Sequence, residues 1–211
     1  MVTRLGSVLN LQDEELPRKL IIDIDDTCLD TLTAFVRWLA VLGRLKGVEG
    51  NRITNRETLG HWLNIPDDLA DLWMGEFCEQ TWHWGALYPM LGSEQILPKL
   101  ATAGWVIIGY TKSSNEMNRA ILRRANLELI MPGVFKELYV VGRTANLYPL
   151  FKEHEYAVCV TSTESTARIS AQAGHATYMI KQPWNQDFSD ISVRKFSDWV
   201  EIEQALSNAV I

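Results

Sequence analysis

Two rhythms alternate along the chain. Short apolar runs of four to six residues are separated by stretches in which apolar residues return every third or fourth position. Runs of the first kind suit strands buried on both faces, and the second kind suits helices with one buried stripe. The first run occupies 19–24, with Leu20, Ile21, Ile22 and Ile24, and is broken and closed by Asp23, Asp25 and Asp26. Later runs are Trp105–Tyr110, Leu138–Val141, Ala157–Val160 and Thr177–Ile180. Between them, Ser93–Ala103 and Thr166–Ala173 read as helices stopped by Gly104 and Gly174. Glycine is the usual residue just past a helix end, because that position favours a left-handed backbone. Asn115–Asn126 places Met117, Ala120, Ile121 and Leu122 inward, and Phe196–Asn208 contains a last helix.

One block departs from this alternation. From Asp30 the period is helical, with Leu32, Phe35, Val36, Leu39 and Leu42 on one stripe, ended by Gly43, Gly47 and Gly50. A second helix is expected near Asn55–Trp62, and Pro66-Asp67-Asp68 opens a third that carries Leu69, Leu72, Trp73, Glu76 and Phe77. Proline and acids in a first turn fit the free N–H groups and positive end of a helix. The expected fold class is therefore α/β, a Rossmann-like parallel sheet with helices on both faces. Residues 1–30 and 89–211 would form the core, with 31–88 as a small helical cap inserted after the first strand.

Composition narrows the picture. At 211 residues and 47% apolar, the chain suits one sizeable core with a modest insertion. A net charge of −6 argues against a nucleic-acid polymer or an anionic membrane as partner, since both select basic surfaces. It leaves room for a small anionic ligand held by a local cluster. No window approaches the roughly 20 apolar residues of a membrane span. Nor does the N-terminal stretch read as a secretory leader. Cys28, Cys78 and Cys159 are odd in number and far apart, which suits free thiols in a reducing compartment, so a cytoplasmic location is expected. Whether the chain pairs as a homodimer is left open by the sequence.

The candidate chemistry sits where strands end. Ligands of open parallel sheets bind beyond the carboxyl ends of the strands. After the first strand stand Asp23 and Asp25, two acids on the same side of an extended chain. Like charges so placed need a cation, a proton or donors nearby. After the second strand comes Thr111-Lys112-Ser113-Ser114, a hydroxyl-rich turn before a helix that suits a phosphate and equally suits simple capping. Lys152 precedes the fourth strand, Arg143 follows the third, and either could bring a positive charge. After the fourth strand come Thr161, Ser162, Thr163, Glu164, Ser165 and Thr166. Trp73 has the helical spacing of a core residue, whereas Trp82 and Trp84 flank His83 and are candidate stacking surfaces for a base.

The run Asp23-Ile24-Asp25-Asp26-Thr27 after a hydrophobic strand resembles the first motif of the haloacid dehalogenase (HAD) superfamily of phosphohydrolases, Asp-x-Asp-x-Thr. The resemblance extends over nearly the whole chain. It implies that Asp23 is the nucleophile and Asp25 the acid/base. It implies phosphate binding by Thr111, Lys112 and Lys152, and a Mg2+ cofactor held by Asp23, Asp25, Ser162 and Glu164. The run Lys181-Gln182-Pro183-Trp184-Asn185, followed by Arg194 and Trp199, is similar to the tail of the 5'(3')-deoxyribonucleotidase branch. The implied activity is phosphomonoester hydrolysis through an aspartyl-phosphate, with a nucleoside monophosphate as substrate. One departure matters. The superfamily's fourth motif supplies acids that hold magnesium, and this chain offers Thr161 and Ser162 there, with Glu164 the nearest carboxylate. Hydroxyls are weak ligands for a hard cation. The alternative reading is a pseudo-phosphatase that binds a phosphorylated ligand or a protein partner without turning it over.

Overall fold

The computed structural model describes residues 18–45, 59–79, 83–114 and 116–208. Six strands form one sheet: β1 (Lys19–Asp23), β2 (Val106–Lys112), β3 (Phe135–Val141), β4 (Ala157–Thr161), β5 (Ala176–Ile180) and β6 (Val193–Phe196). Their spatial order is β3-β2-β1-β4-β5-β6 and every neighbouring pair is parallel. β1 is thus central, flanked by β2 and β4, and the order reverses direction on either side of it. That switch point is where an open sheet of this kind leaves a crevice.

The helices are α1 (Thr31–Val41), α2 (Leu59–Leu63), α3 (Asp67–Glu79), α4 (Ser93–Thr102), α5 (Met117–Ile130), α6 (Tyr148–Glu153), α7 (Glu164–Gln172) and α8 (Trp199–Asn208). β1 shows why this packing forms. Leu20, Ile22 and Ile24 join one apolar cluster, while Ile21 joins a second cluster with Ile108, Tyr110, Phe151 and Cys159. Alternate residues therefore bury both faces, which explains an apolar run without polar interruption. Gly109 lets β2 lie close to its neighbours, because a Cβ there would come within 3.0 Å of Ile24 and Phe135 side-chain carbons.

α1–α3 do not possess a separate core. Phe35, Trp38, Leu39, Leu63, Phe77 and Trp84 belong to the same cluster as Leu20 and Ile22. Phe77 packs edge-on against both Phe35 and Trp84, with centroids at 5.5 and 6.2 Å. Aromatic edge-to-face pairs at this separation add to simple burial. α1 starts at Asp30, whose carboxylate accepts from Thr33 N–H at 3.1 Å.

Three elements depart from the sequence expectation. β6 and α6 were not expected. β6 is an edge strand with Arg194 and Lys195 at its centre and only Val193 and Phe196 buried, so no apolar run marks it. α6 is too short for periodicity to register. The inward face of α5 is also rotated from the expected one. Arg123, Asn126 and Leu127 are buried, whereas Met117 and Ile121 are 78% and 59% exposed. The expected start of the second helix at Asn55 and the lead-in before residue 18 lie outside the described residues.

Candidate active site

β1 ends at Asp23, and the backbone then turns sharply. Asp26 takes a left-handed conformation, φ 54°, which aspartate tolerates better than most residues. Its Oδ1 accepts from Leu32 N–H at 2.7 Å, so Asp26 ties the turn to the first turn of α1. Trp199 Nε1 donates to the Thr27 carbonyl at 2.9 Å, so the last helix braces the same turn.

The two acids of the turn are directed at different neighbours. Asp23 Oδ2 accepts at 2.8 Å from Oγ1 of Thr161, the last residue of β4, and at 3.4 Å from Oγ1 of Thr163, on the loop that follows it. Asp25 instead reaches the end of β2. Its Oδ2 accepts from Thr111 Oγ1 at 2.5 Å. Its Oδ1 accepts from Thr31 Oγ1 at 2.7 Å and pairs with Arg123 Nη2 at 3.2 Å. Asp23, Asp25, Thr111 and Thr161 are all buried.

Arg123 was absent from the sequence reading. Its side chain is fully buried, and its guanidinium lies 3.5 Å from the centroid of Trp84. A guanidinium over an indole face at this range is a favourable cation–π contact, strengthened by exclusion of water. Burial lowers the Arg123 pKa, and the Asp25 charge opposes that shift. Asn126, one turn on, both donates to the Leu87 carbonyl and accepts from Leu87 N–H, each at 3.1 Å. The helical spacing of Arg123, Asn126 and Leu127 was a legible signal, hidden because two of the three are polar.

The loop after β4 is held from outside. Trp184 Nε1 and Asn185 Nδ2 donate to the Ser162 carbonyl at 3.1 and 2.9 Å. Asn185 is completely buried and also donates to the Ile180 carbonyl at 2.9 Å. Gln182 Nε2 donates to the Asp26 carbonyl at 3.2 Å. The segment Gln182–Asn185 therefore joins the turn after β1 to the loop after β4. Three further hydroxyls, on Thr27, Ser113 and Ser162, are buried without a hydrogen-bond partner. They lie on the three loops that follow β1, β2 and β4, so unmet donors cluster at the switch point.

A cleft of about 360 Å³ opens between this end of the sheet and α2–α3, lined by Asp25, Thr31, Trp84, Lys112, Arg143 and Met74 among others. Among the described residues its charged lining is Lys112, at the end of β2, and Arg143, just after β3, together with Asp25, Asp67 and Asp71. Arg143 also grips α3, donating to the Asp71 carbonyl at 2.7 Å and pairing with its carboxylate.

Other expected site residues fall elsewhere. Lys152 is exposed near the C-terminal end of α6. A helix leading into a parallel strand runs back against the sheet, so its last turn lies at the amino end of β4, away from Asp23. Arg143, the competing candidate, lines the cleft instead. Trp84 cannot stack a base, because it is 1% exposed and Arg123 lies over its ring. Trp82 lies outside the described residues.

The residues expected around magnesium do not converge as a ligand set. Asp23 already accepts from two threonine hydroxyls, the Asp25 carboxylate is turned to Arg123, and Asp26 is turned to α1. Glu164 is half-buried at the start of α7. Among the described residues no group of three His, Cys, Asp or Glu side chains could hold a metal ion. Hard divalent cations need several anionic or carbonyl oxygens, and this donor set does not fit one.

The three cysteines are buried thiols. Burial pushes Cys78 and Cys159 up to about 12, and raises Cys28 as well. Thiols so protonated are poor nucleophiles, and no chemistry is assigned to them. Among the described residues no helix is long and apolar enough to cross a membrane.

No known family profile matches the sequence, and no curated protein matches it. Solved structures do match the fold. The magnesium-bound HAD hydrolase YfnB from Bacillus subtilis is 16% identical, with a TM-score of 0.58 over 90% of this chain and 98% of that one. A dehalogenase in an intermediate complex is 14% identical, with a TM-score of 0.62 over 91% and 98%. CbbY from Rhodobacter sphaeroides, in complex with phosphate, is 15% identical, with a TM-score of 0.54 over 89% and 96%. The fold of this chain is that of HAD-superfamily hydrolases.

Proposed function

We propose that the protein is a hydrolase of small phosphomonoesters in which Asp23 is the nucleophile. The observation that carries the reading is two buried acids at the switch point, of which Asp25 lines a cleft that also holds Lys112 and Arg143. An Asp23 oxygen attacks phosphorus, and the bond from phosphorus to the leaving oxygen breaks. Asp25 delivers a proton to that oxygen. Water then attacks the aspartyl-phosphate, Asp25 takes its proton, and inorganic phosphate leaves with Asp23 restored. Asp25 is oriented by Thr31, Thr111 and Arg123. Lys112 and Arg143 would balance the phosphoryl charge, the task that dominates phosphoryl transfer. Residues 31–88 would serve as a cap, with Arg143 and Asp71 joining it to the core.

Among phosphomonoesters, a nucleoside monophosphate is the class to test first, on the resemblance of the tail. Trp84 lends it no support. The test is release of inorganic phosphate from p-nitrophenyl phosphate and a panel of deoxynucleotides, by wild type and by Asp23→Asn. Turnover that Asp23→Asn abolishes is expected. Equal turnover by both proteins overturns the reading.

A second reading is favoured by the end of β4 and the loop after it, where threonines stand against Asp23. In it the protein binds a phosphorylated ligand without hydrolysing it. Stabilisation by orthovanadate or phosphate, with no phosphate released from any ester, would select this reading over the first.

A further inference from the structure

We propose that Asp23 works without a divalent cation, its carboxylate stabilised by hydrogen bonds from the hydroxyls of Thr161 and Thr163 and the ligand's anion met by Lys112 and Arg143. The inference rests on the hydrolase reading for the role of Asp23, but its metal measurement stands independently of that reading.

Most of the oxygens that could enter a cation's shell at this corner have another engagement, and the one left unpaired on the loop after β4, Ser162 Oγ, is a neutral hydroxyl and a weak ligand for a hard cation. Thr161 Oγ1 donates to Asp23 and accepts from Thr163 N–H at 3.1 Å. Its one proton and one of its lone pairs are therefore in use, in a geometry built to face a carboxylate. The Ser162 carbonyl accepts from both Trp184 and Asn185. Asp25 is held by two hydroxyls and a buried guanidinium, and Asp26 by the first turn of α1. A cation arriving at Asp23 Oδ2 would compete with both threonine contacts and would gain no second carboxylate from β4. The loop cannot swing to supply one, because Asn185 is fully buried and pins it to the end of β5.

The same arrangement supplies what a cation supplies elsewhere. Hydroxyl donors hold Asp23 in place and soften its repulsion of an incoming anion. Lys112 and Arg143 line the cleft from the adjacent strand ends, alongside Asp25, Asp67 and Asp71, with Arg143 paired to Asp71; an arriving phosphoryl group would draw on Lys112 and compete with Asp71 for Arg143. Fixed donors and cations can carry transition-state charge in a buried site with no metal.

The experiment uses the full chain, stripped with EDTA and dialysed. Magnesium is titrated at millimolar concentration by calorimetry and by thermal denaturation. No saturable heat and no shift in Tm are expected. Saturable binding that disappears in Asp23→Ala overturns the proposal. Orthovanadate is then added with and without magnesium, and equal stabilisation in both is expected, whereas stabilisation only with magnesium overturns it. Hydrolysis of p-nitrophenyl phosphate should persist in EDTA at a rate within a factor of about two, since the charges acting on the phosphoryl group are all side chains. A loss of about 10²-fold or more on chelation, restored by magnesium, overturns it. If no ester is turned over under any condition, the hydrolase reading fails, and calorimetry still decides whether Asp23 binds a cation.

Discussion

Arg123 Nη2 lies 3.2 Å from Asp25 Oδ1, with the guanidinium fully buried and its face against Trp84. The acid expected to move the proton is thus held by a cation from a helix face that the hydrophobic pattern places outward. Removing the cation leaves a buried charge without its partner. Arg123→Met should cost about 3–5 kcal/mol, measured as a fall in urea midpoint. Pairing it with Asp25→Asn should recover a large part of that loss, since the two changes act on one interaction. A fully additive double variant would show that the pair is not coupled.

Turnover should separate the two acids. Asp23→Asn is expected to abolish it, whereas Asp25→Asn should lower kcat by about 10²–10⁴-fold, the usual contribution of a positioned acid/base. Burst and steady-state phosphate release measure both. Wild-type kcat in Asp25→Asn would remove Asp25 from the reaction.

The segment after β5 should matter although it lies outside the cleft. Asn185→Ala strips donors from the carbonyls of Ser162 and Ile180 in a fully buried position. A loss of about 1–3 kcal/mol is expected for a buried acceptor left short. Turnover should fall as well, because the loop that begins after Thr161 and carries Thr163 loses its brace at Ser162. Thermal denaturation and kcat together check this, and an unchanged kcat would confine Asn185 to stability.

Lys112, Arg143 and Lys152 should differ. Lys112→Ala and Arg143→Ala are expected to raise KM for any phosphorylated substrate. Loss of the partly exposed Arg143–Asp71 pair should cost stability no more than about 1 kcal/mol. Lys152→Ala should change neither KM nor Tm, since Lys152 is exposed. A KM effect at Lys152 equal to that at Arg143 would reverse the assignment.

The buried thiols give the protein an alkaline limit. Unfolded thiols ionise near the ordinary 9.0, whereas burial holds those of Cys78 and Cys159 near 12 in the folded chain. Their contribution to stability is complete below pH 9 and is lost as pH rises from 9 toward 12, because only the unfolded chain can release these protons. Tm measured across that window should fall, and less steeply in Cys78→Ala. An identical slope in the variant would assign the fall to other groups.

The sequence by itself determined the parallel α/β architecture and the two acids at the end of β1. Both are local properties: the two-sided burial of a strand is written in its unbroken apolar run, and strand ends in such sheets face the ligand. Gly104 and Gly174 mark helix ends for the same local reason, taking φ 88° and 94°. Tertiary structure alone decided what each acid meets. Arg123 is 98 residues from Asp25, and Thr161 is 138 residues from Asp23. No periodicity encodes such pairings, since they depend on which strands lie beside β1. Lys152 shows the same limit from the other side. Its distance along the chain from the fourth strand suited a site residue, but the direction of α6 against the sheet carries it to the far end. Arg143, a few residues from its own strand end, is the one delivered to the cleft.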